Sequence, residues 1–300
     1  MKMKKIISLM LAALMVLCLC ACGGESKDDS KDNTSDAVEN SNEPENNTDD
    51  VSTGMTDMEY ITKNGKIIVG ITIYEPMNYY DENGKLTGFD TEFAQAVCER
   101  LGIDAEFVVI NWDTKEIELA AKSIDCIWNG MTITADREAA MSISLPYVKN
   151  AQVVVAKAGS GITSTADLIG KTVVAEVGSA GELQIIGTDE DEPEENLAQA
   201  NYVALSKQTD CLLEVKAGTA DAAVLDWTLA KSMVGEGTSY EELEMIDGLE
   251  LASEEYGIAF RKGSDITAAV NEIIEEMVAD GSLRELAEKY SLSLAPSIDK

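Results

Sequence analysis

The sequence predicts an α/β protein made of two open sheets, each flanked by helices. Short, almost continuously apolar segments such as 66–71 (KIIVGI) and 105–110 (AEFVVI) are typical of strands buried on both faces. Between these two segments, apolar residues recur at helical spacing in 91–101. The same alternation starts again at 172–175, which predicts a second α/β half. In open α/β sheets, ligands usually bind beyond the carboxyl ends of the strands.

The same two patterns predict the remaining elements in chain order. The predicted strands are 66–71, 105–110, 124–128, 172–175, 202–205, 222–225 and 256–261. The predicted helices are 91–101, 182–186, 209–217, one that begins at Trp227, 266–279 and 282–290. Asp90 is predicted to cap the first of these helices, because Asp is favoured at N-caps. Gly281 is predicted to separate the last two.

The first residues have the pattern of a secretion signal. A basic start (MKMKK) precedes an apolar run over 6–21, which is shorter than the ~20 residues of a membrane span. The run ends in the letters LCAC followed by two glycines, which resembles a bacterial lipobox. We therefore expect 1–21 to be a lipoprotein signal peptide. Cys22 would carry the lipid, palmitate included, at the extracytoplasmic face of the cell membrane. Cleavage before Cys20 and an uncleaved anchor are the alternatives.

The segment 22–57 consists largely of Gly, Ser, Asn, Thr, Asp and Glu. It contains almost no large apolar residue, so burial cannot offset the entropy lost on ordering it. We predict a disordered acidic tether, whose flexible chain gives a reach on the order of tens of ångströms.

The overall composition excludes several classes of protein. The formal charge is −32, and so acidic a surface repels phosphate backbones, so we expect no nucleic-acid partner. The sequence contains no histidine, which removes imidazole metal sites and His-dependent triads, and we expect neither metal nor cofactor. Once Cys22 is lipidated, Cys98, Cys126 and Cys211 allow at most one disulfide. Cys98 and Cys126 are better explained as small buried hydrophobic residues.

Polar or aromatic residues directly follow several of the predicted buried strands. The runs GKLTGFD, NGMTITADR, GKTVVAEVGSAGE, DAAVLD and YGIAFRKG occur in this order along the chain. In order and spacing they resemble the family 3 bacterial extracellular solute-binding proteins, which serve importers of polar amino acids. The resemblance extends over about 64–290, nearly the whole of the predicted folded part.

The resemblance implies a two-lobed fold of the type II periplasmic-binding-protein kind. Lobe one would combine 58–148 with 258–300, and lobe two would be 153–251. The crossovers 149–152 and 252–257 would form a hinge that closes the lobes around a ligand. The protein would be a non-catalytic monomer that captures a free amino acid and delivers it to an ABC permease and its ATPase.

The resemblance also implies a binding site for a zwitterion. Arg137 matches the arginine that grips the α-carboxylate in two parallel hydrogen bonds, and Asp226 matches the aspartate that binds the ammonium. Thr132 matches a hydroxyl beside the α-carboxylate, and Gly130 matches a backbone carbonyl that faces the ammonium. The other matching positions are Asn129 next to Gly130, the turn before a helix at Ser179 and Ala180, and the aromatic walls Tyr74, Trp112 and Trp128. Ala180 departs from the pattern, because a threonine is common there. A solvated Arg137, a helix-capping Asp226 and a core Trp128 are the alternatives.

The ligand and two rival functions remain open on the sequence alone. Relatives that bind cationic amino acids often carry an acid three residues before the pocket tyrosine, where this chain has Ile71. Glu75 could restore that charge, but a loop glutamate is more often solvated. A neutral or polar amino acid is therefore favoured, with cystine or an aromatic amino acid open. An enzyme on this fold would use Asp226 or Glu182 as its acid, and a sensory receptor would need a membrane-spanning element.

Overall fold

A computed structural model describes residues 54–188 and 191–299. The predicted signal peptide, Cys22 and most of the predicted tether therefore lie outside the described residues. The prediction that the tether extends through residue 57 is wrong. Asp57 begins a helix whose N-cap, Thr56, forms a capping box with Glu59, and the Asp57 carboxylate accepts a 2.9 Å hydrogen bond from Arg261 Nε. Over the described ranges, no helix is both long and apolar enough to cross a membrane.

The described chain alternates strands and helices as predicted. The strands are β1 (Lys66–Ile71), β2 (Tyr79–Tyr80), β3 (Leu86–Thr87), β4 (Asp104–Val109), β5 (Cys126–Thr132), β6 (Met141–Ile143), β7 (Val148–Lys157), β8 (Thr172–Glu176), β9 (Asn201–Leu205), β10 (Ala222–Asp226) and β11 (Leu243–Arg261). The α-helices are α1 (Asp57–Asn64), α2 (Phe89–Leu101), α3 (Lys115–Ala120), α4 (Ala135–Ala140), α5 (Ala180–Ile186), α6 (Gln208–Ala217), α7 (Trp227–Met233), α8 (Ile266–Ala279) and α9 (Ser282–Lys289).

The main sheet has the strand order β4-β1-β5-β11-β7-β10-β8-β9, and β6 pairs with β11. At one end β1 pairs in parallel with β4 and β5, and at the other end β8 pairs in parallel with β9 and β10. Parallel strands need crossover connections, which the helices supply. The two parallel halves are the two α/β halves that the sequence predicts, and the antiparallel pair β7–β11 joins them.

The long strand β11 differs from the prediction, which covered only 256–261. Its first two thirds are mostly exposed or partly buried and contain register shifts on β7, so they lack the apolar run that marks a buried strand. Within this pair, Glu254 lies opposite Asn150 and Ala252 lies opposite Gln152. The two predicted crossover segments therefore lie side by side in antiparallel register.

The predicted N-cap at Asp90 is wrong, because α2 begins at Phe89, two residues earlier than predicted, and its N-cap is Gly88. Asp90 is buried in the first turn, where its Oδ2 accepts hydrogen bonds from the Gly130 N–H at 2.6 Å and the Tyr147 hydroxyl at 3.0 Å. Burial raises the pKa of Asp90 to about 7. This carboxyl connects helix α2 to Gly130 of strand β5.

The three cysteines of the described chain are all buried and free. Burial raises the pKa of Cys98 to about 12, so its thiol stays protonated. These positions are consistent with the prediction that Cys98 and Cys126 pack as small hydrophobic residues.

Candidate functional site

A cavity lies where the ends of β1 and β5 face the ends of β8 and β10. It is lined by Thr72, Ile73, Tyr74, Trp112, Asn129, Gly130, Thr132, Arg137, Glu176, Ser179, Ala180, Lys207, Gln208, Asp226 and Leu229. All the residues that the sequence nominated for the site, except Trp128, line this cavity.

Trp128 lies in the core instead. Its side chain is 1% exposed and packs edge-to-face on Phe93 of α2, with ring centroids 5.1 Å apart. Successive residues of a strand point to opposite faces, so Trp128 faces helix α2 while its neighbour Asn129 reaches the cavity. The prediction that Trp128 walls the ligand is therefore corrected to the core alternative.

Arg137 sits in the first turn of α4 with its side chain only 6% exposed, so it is not a solvated surface arginine. Its Nη1 donates to the Thr132 carbonyl at 2.7 Å and its Nη2 donates to the Gly178 carbonyl at 3.0 Å. A guanidinium has five N–H donors, so donors remain for a ligand carboxylate. Burial lowers the pKa of Arg137, but a guanidinium stays charged in proteins.

Gly130 is required at its position by geometry. Its φ is +57°, and a Cβ there would come within 2.6 Å of Tyr74 Cε1. The Tyr74 hydroxyl in turn bonds to Thr228 of α7 and, at 2.5 Å, to Tyr256 of β11. Tyr74 thus connects the half of the sheet that carries β1 to the half that carries β10.

Asp226 ends β10 at the N-cap position of α7, but its side chain makes no capping hydrogen bond. Its Oδ1 accepts from Asn150 Nδ2 and Gln152 Nε2, both at 2.7 Å, and Gln208 Nε2 donates to its Oδ2. The carboxyl is 6% exposed, and burial raises its pKa. Asp226 therefore occupies the N-cap position with its backbone, as the capping alternative expected. Its side chain does not cap the helix and lines the cavity instead.

Sequence reasoning missed Glu254, a second carboxyl bound to the same two amides. Asn150 Nδ2 and Gln152 Nε2 donate to Glu254 Oε1 at 2.6 and 2.7 Å, and the Thr132 hydroxyl donates to it at 2.9 Å. Burial, followed by the charge of Asp226, raises the pKa of Glu254 to about 7. The Thr132 hydroxyl proton is thus bound to Glu254 and is not available to donate to a ligand. Nothing in the local sequence of the crossover indicates this contact.

Sequence reasoning also missed Glu176, which is 5% exposed and lines the cavity. Burial, then the charge of Asp226, raises its pKa to about 8. A signal for it is present in the sequence. The strand TVVAE ends in an acid directly after a buried apolar run, as AAVLD does at Asp226.

Lys115 and the turn at Ser179 lie beside these residues, and both use their polar groups within the protein. Lys115 Nζ donates to the carbonyls of Trp112 and Gly178 at 3.3 and 3.1 Å, and burial lowers its pKa to about 8. The Ser179 hydroxyl accepts from the Glu182 N–H at 3.1 Å, while Glu182 Oε2 accepts from the Gly178 N–H at 2.7 Å. The Gly178 N–H is therefore bound to a side chain of helix α5.

Comparisons with known proteins agree with this architecture. A family model described as bacterial extracellular solute-binding proteins, family 3, matches residues 67–293. The chain is 30% identical over 234 residues to the L-cystine-binding protein TcyJ of Escherichia coli, covering 77% of this chain and 84% of that protein. It is 31% identical over 228 residues to the arginine-binding extracellular protein ArtP of Bacillus subtilis, covering 75% and 86%.

Solved structures confirm the predicted fold. A mutant of ArgBP from T. maritima superposes with a TM-score of 0.70 at 32% identity, covering 78% of this chain and 98% of that one. The ancestral amino acid-binding protein AncCDT-1, a precursor of cyclohexadienyl dehydratase, superposes with a TM-score of 0.68 at 28% identity, covering 79% and 99%. The chain therefore has the two-lobed α/β fold of type II periplasmic binding proteins.

Proposed function

Because the chain belongs to the family 3 bacterial extracellular solute-binding proteins, we propose that it captures a free amino acid in this cavity. It would deliver that amino acid, as a monomer, to an ABC permease and its ATPase. The observation that carries the proposal is that a buried cation, Arg137, and a buried acid, Asp226, line the same cavity. A zwitterion supplies the opposite charge to each of them, and buried charges are stable only when paired.

The proposed mechanism is a hinged clamp made of lobe one (58–148 with 258–300) and lobe two (153–251). The guanidinium of Arg137 would hold the α-carboxylate, while the Asp226 carboxylate and the Gly130 carbonyl would hold the ammonium. The crossovers 149–152 and 252–257 would bend between open and closed forms. Contacts between the two halves, such as Tyr74 with Thr228, would close with the ligand in place.

A thermal-shift screen of the lipid-free protein against all amino acids tests capture directly. A ligand present at 100 times its dissociation constant should add about 2.7 kcal/mol to the free energy of unfolding. Asp226→Asn should lower the affinity for the ligand found in the screen at least tenfold, because it removes the charge facing the ammonium. Asp247→Asn, on the exposed part of β11, is the matched control and should bind normally. We propose no catalysis, so the ligand should be recovered chemically unchanged.

We further propose that the mature chain is anchored through a lipid on Cys22 at the outer face of the membrane. Cys22→Ala should abolish labelling with a fatty acid and release the protein from the membrane fraction. The physical reason is that acyl chains contribute ~0.8 kcal/mol per buried CH₂, and several chains hold far better than one. Cys20→Ala is the control, since it should leave labelling intact. A Cys22→Ala protein that still took up the label would contradict the assignment.

A further inference from the structure

Two neighbouring parallel strands each end in a buried acid at the cavity. In the β8–β10 pair, Val173 lies opposite Ala222 and Val174 opposite Ala223, so the strands end side by side. Glu176 is the last residue of β8 and Asp226 the last residue of β10. One α-ammonium requires one such carboxylate. The second carboxylate is unaccounted for by the proposed function.

The surroundings of Glu176 supply no ion pair. Among the described residues, no Lys or Arg nitrogen lies within 4.0 Å of its carboxylate, and an amide hydrogen bond comes from Gln208. With 5% exposure, a carboxylate there is costly unless a cation compensates it. Burial, followed by the charge of Asp226, raises the pKa of Glu176 to about 8.

We propose that Glu176 makes the cavity select an amino acid that carries a second positively charged group besides its α-ammonium. The inference rests on the proposed function and names the class of ligand for the same site. The second group can be a guanidinium or ammonium on the side chain, or the second α-ammonium of a disulfide-linked amino acid. All three present N–H donors and a positive charge to a planar carboxylate.

Neither position 71 nor position 75, where the sequence could have placed an acid, binds the second cationic group. Ile71 is an apolar residue of β1, and Glu75 Oε1 accepts a hydrogen bond from Ser232 at 3.1 Å and does not line the cavity. The preference for a neutral ligand rested on those two positions. Glu176 supplies the acid from the other half of the sheet, so the apolar Ile71 does not disfavour a cationic ligand.

Calorimetric titration with arginine and citrulline tests the inference, because citrulline has nearly the same shape as arginine and a neutral side chain. Wild type should bind arginine at least tenfold more tightly than citrulline. Glu176→Gln should abolish this preference while leaving the affinity for citrulline within a few-fold. Glu75→Gln is the matched control and should retain the full preference. Lysine and cystine, titrated in parallel, distinguish a side-chain cation from a second α-ammonium.

The pH dependence gives a second readout. A bound cation lowers the pKa of Glu176 from about 8, so the arginine complex holds fewer protons than the free protein. Affinity for arginine should therefore rise as pH increases towards 8 and then level off, and Glu176→Gln should flatten the rise. The charged and titratable groups that act on Glu176 are Asp226, Lys115 and Asp210. Arg137 and Lys207 line the same cavity, and Glu254 shares the amide donors of Asn150 and Gln152 with Asp226. Citrulline, measured over the same pH range, reports their contribution.

The outcomes separate the two proposals. If no amino acid binds at all, the proposed function fails. If arginine and citrulline bind equally in wild type, or if Glu75→Gln rather than Glu176→Gln removes the preference, amino-acid capture stands and the role of Glu176 is overturned.

Discussion

Arg137→Ala is expected to lower the affinity for the amino acid by more than a hundredfold. The guanidinium is buried at the cavity, and two of its donors are held by the Thr132 and Gly178 carbonyls, which fixes its direction. Removing one partner of a buried charge pair costs about 3–5 kcal/mol, and about 1.4 kcal/mol corresponds to tenfold in affinity. Calorimetric titration with the ligand found by the thermal-shift screen measures the loss.

Arg137→Lys is the matched variant for this prediction. It keeps the positive charge but loses the planar fork, so its affinity should fall between those of wild type and Arg137→Ala. A melting curve of each ligand-free variant should show that the protein still folds cooperatively. Near-wild-type affinity in Arg137→Ala would contradict the proposed binding of the zwitterion by Arg137 and Asp226. A collapsed melting temperature accompanying the lost affinity would instead assign Arg137 a structural role.

Trp128→Ala is expected to lower the free energy of unfolding by about 3–5 kcal/mol, the usual cost of truncating a large core aromatic residue. The indole is 1% exposed and packs on Phe93, so its removal leaves a cavity between β5 and α2. Denaturant unfolding measures the change. The fraction that remains folded should bind the ligand with nearly the wild-type dissociation constant, because the side chain does not line the binding cavity.

Trp112→Ala provides the contrast, since Trp112 lines the cavity. Its loss should weaken binding more than it weakens folding. Trp128→Phe is a milder change that keeps an aromatic ring in the core. It allows the test to be made even if Trp128→Ala does not fold. If Trp128→Phe reduced the affinity at an unchanged melting temperature, Trp128 would belong to the binding site.

The sequence by itself determined the alternation of strands and helices and most of the cavity lining. The reason is that both signals are local. A buried parallel strand requires a continuous apolar run, and the first polar residue after it, such as Asp226, falls at the carboxyl edge where ligands bind. Arg137 became recognisable because the run NGMTITADR carries its family context within a few residues.

Only the tertiary structure decided the contacts that join distant segments. Trp128 and Asn129 are neighbours in sequence, and helix α2 determines which of them is core, because it covers one face of β5. Glu254 accepts hydrogen bonds from Asn150 and Gln152, about a hundred residues earlier. Likewise, the carboxylates of Glu176 and Asp226 share one cavity because β8 and β10 pair in parallel. Pairing between strands distant in sequence is set by packing of the whole chain, and no local period records it.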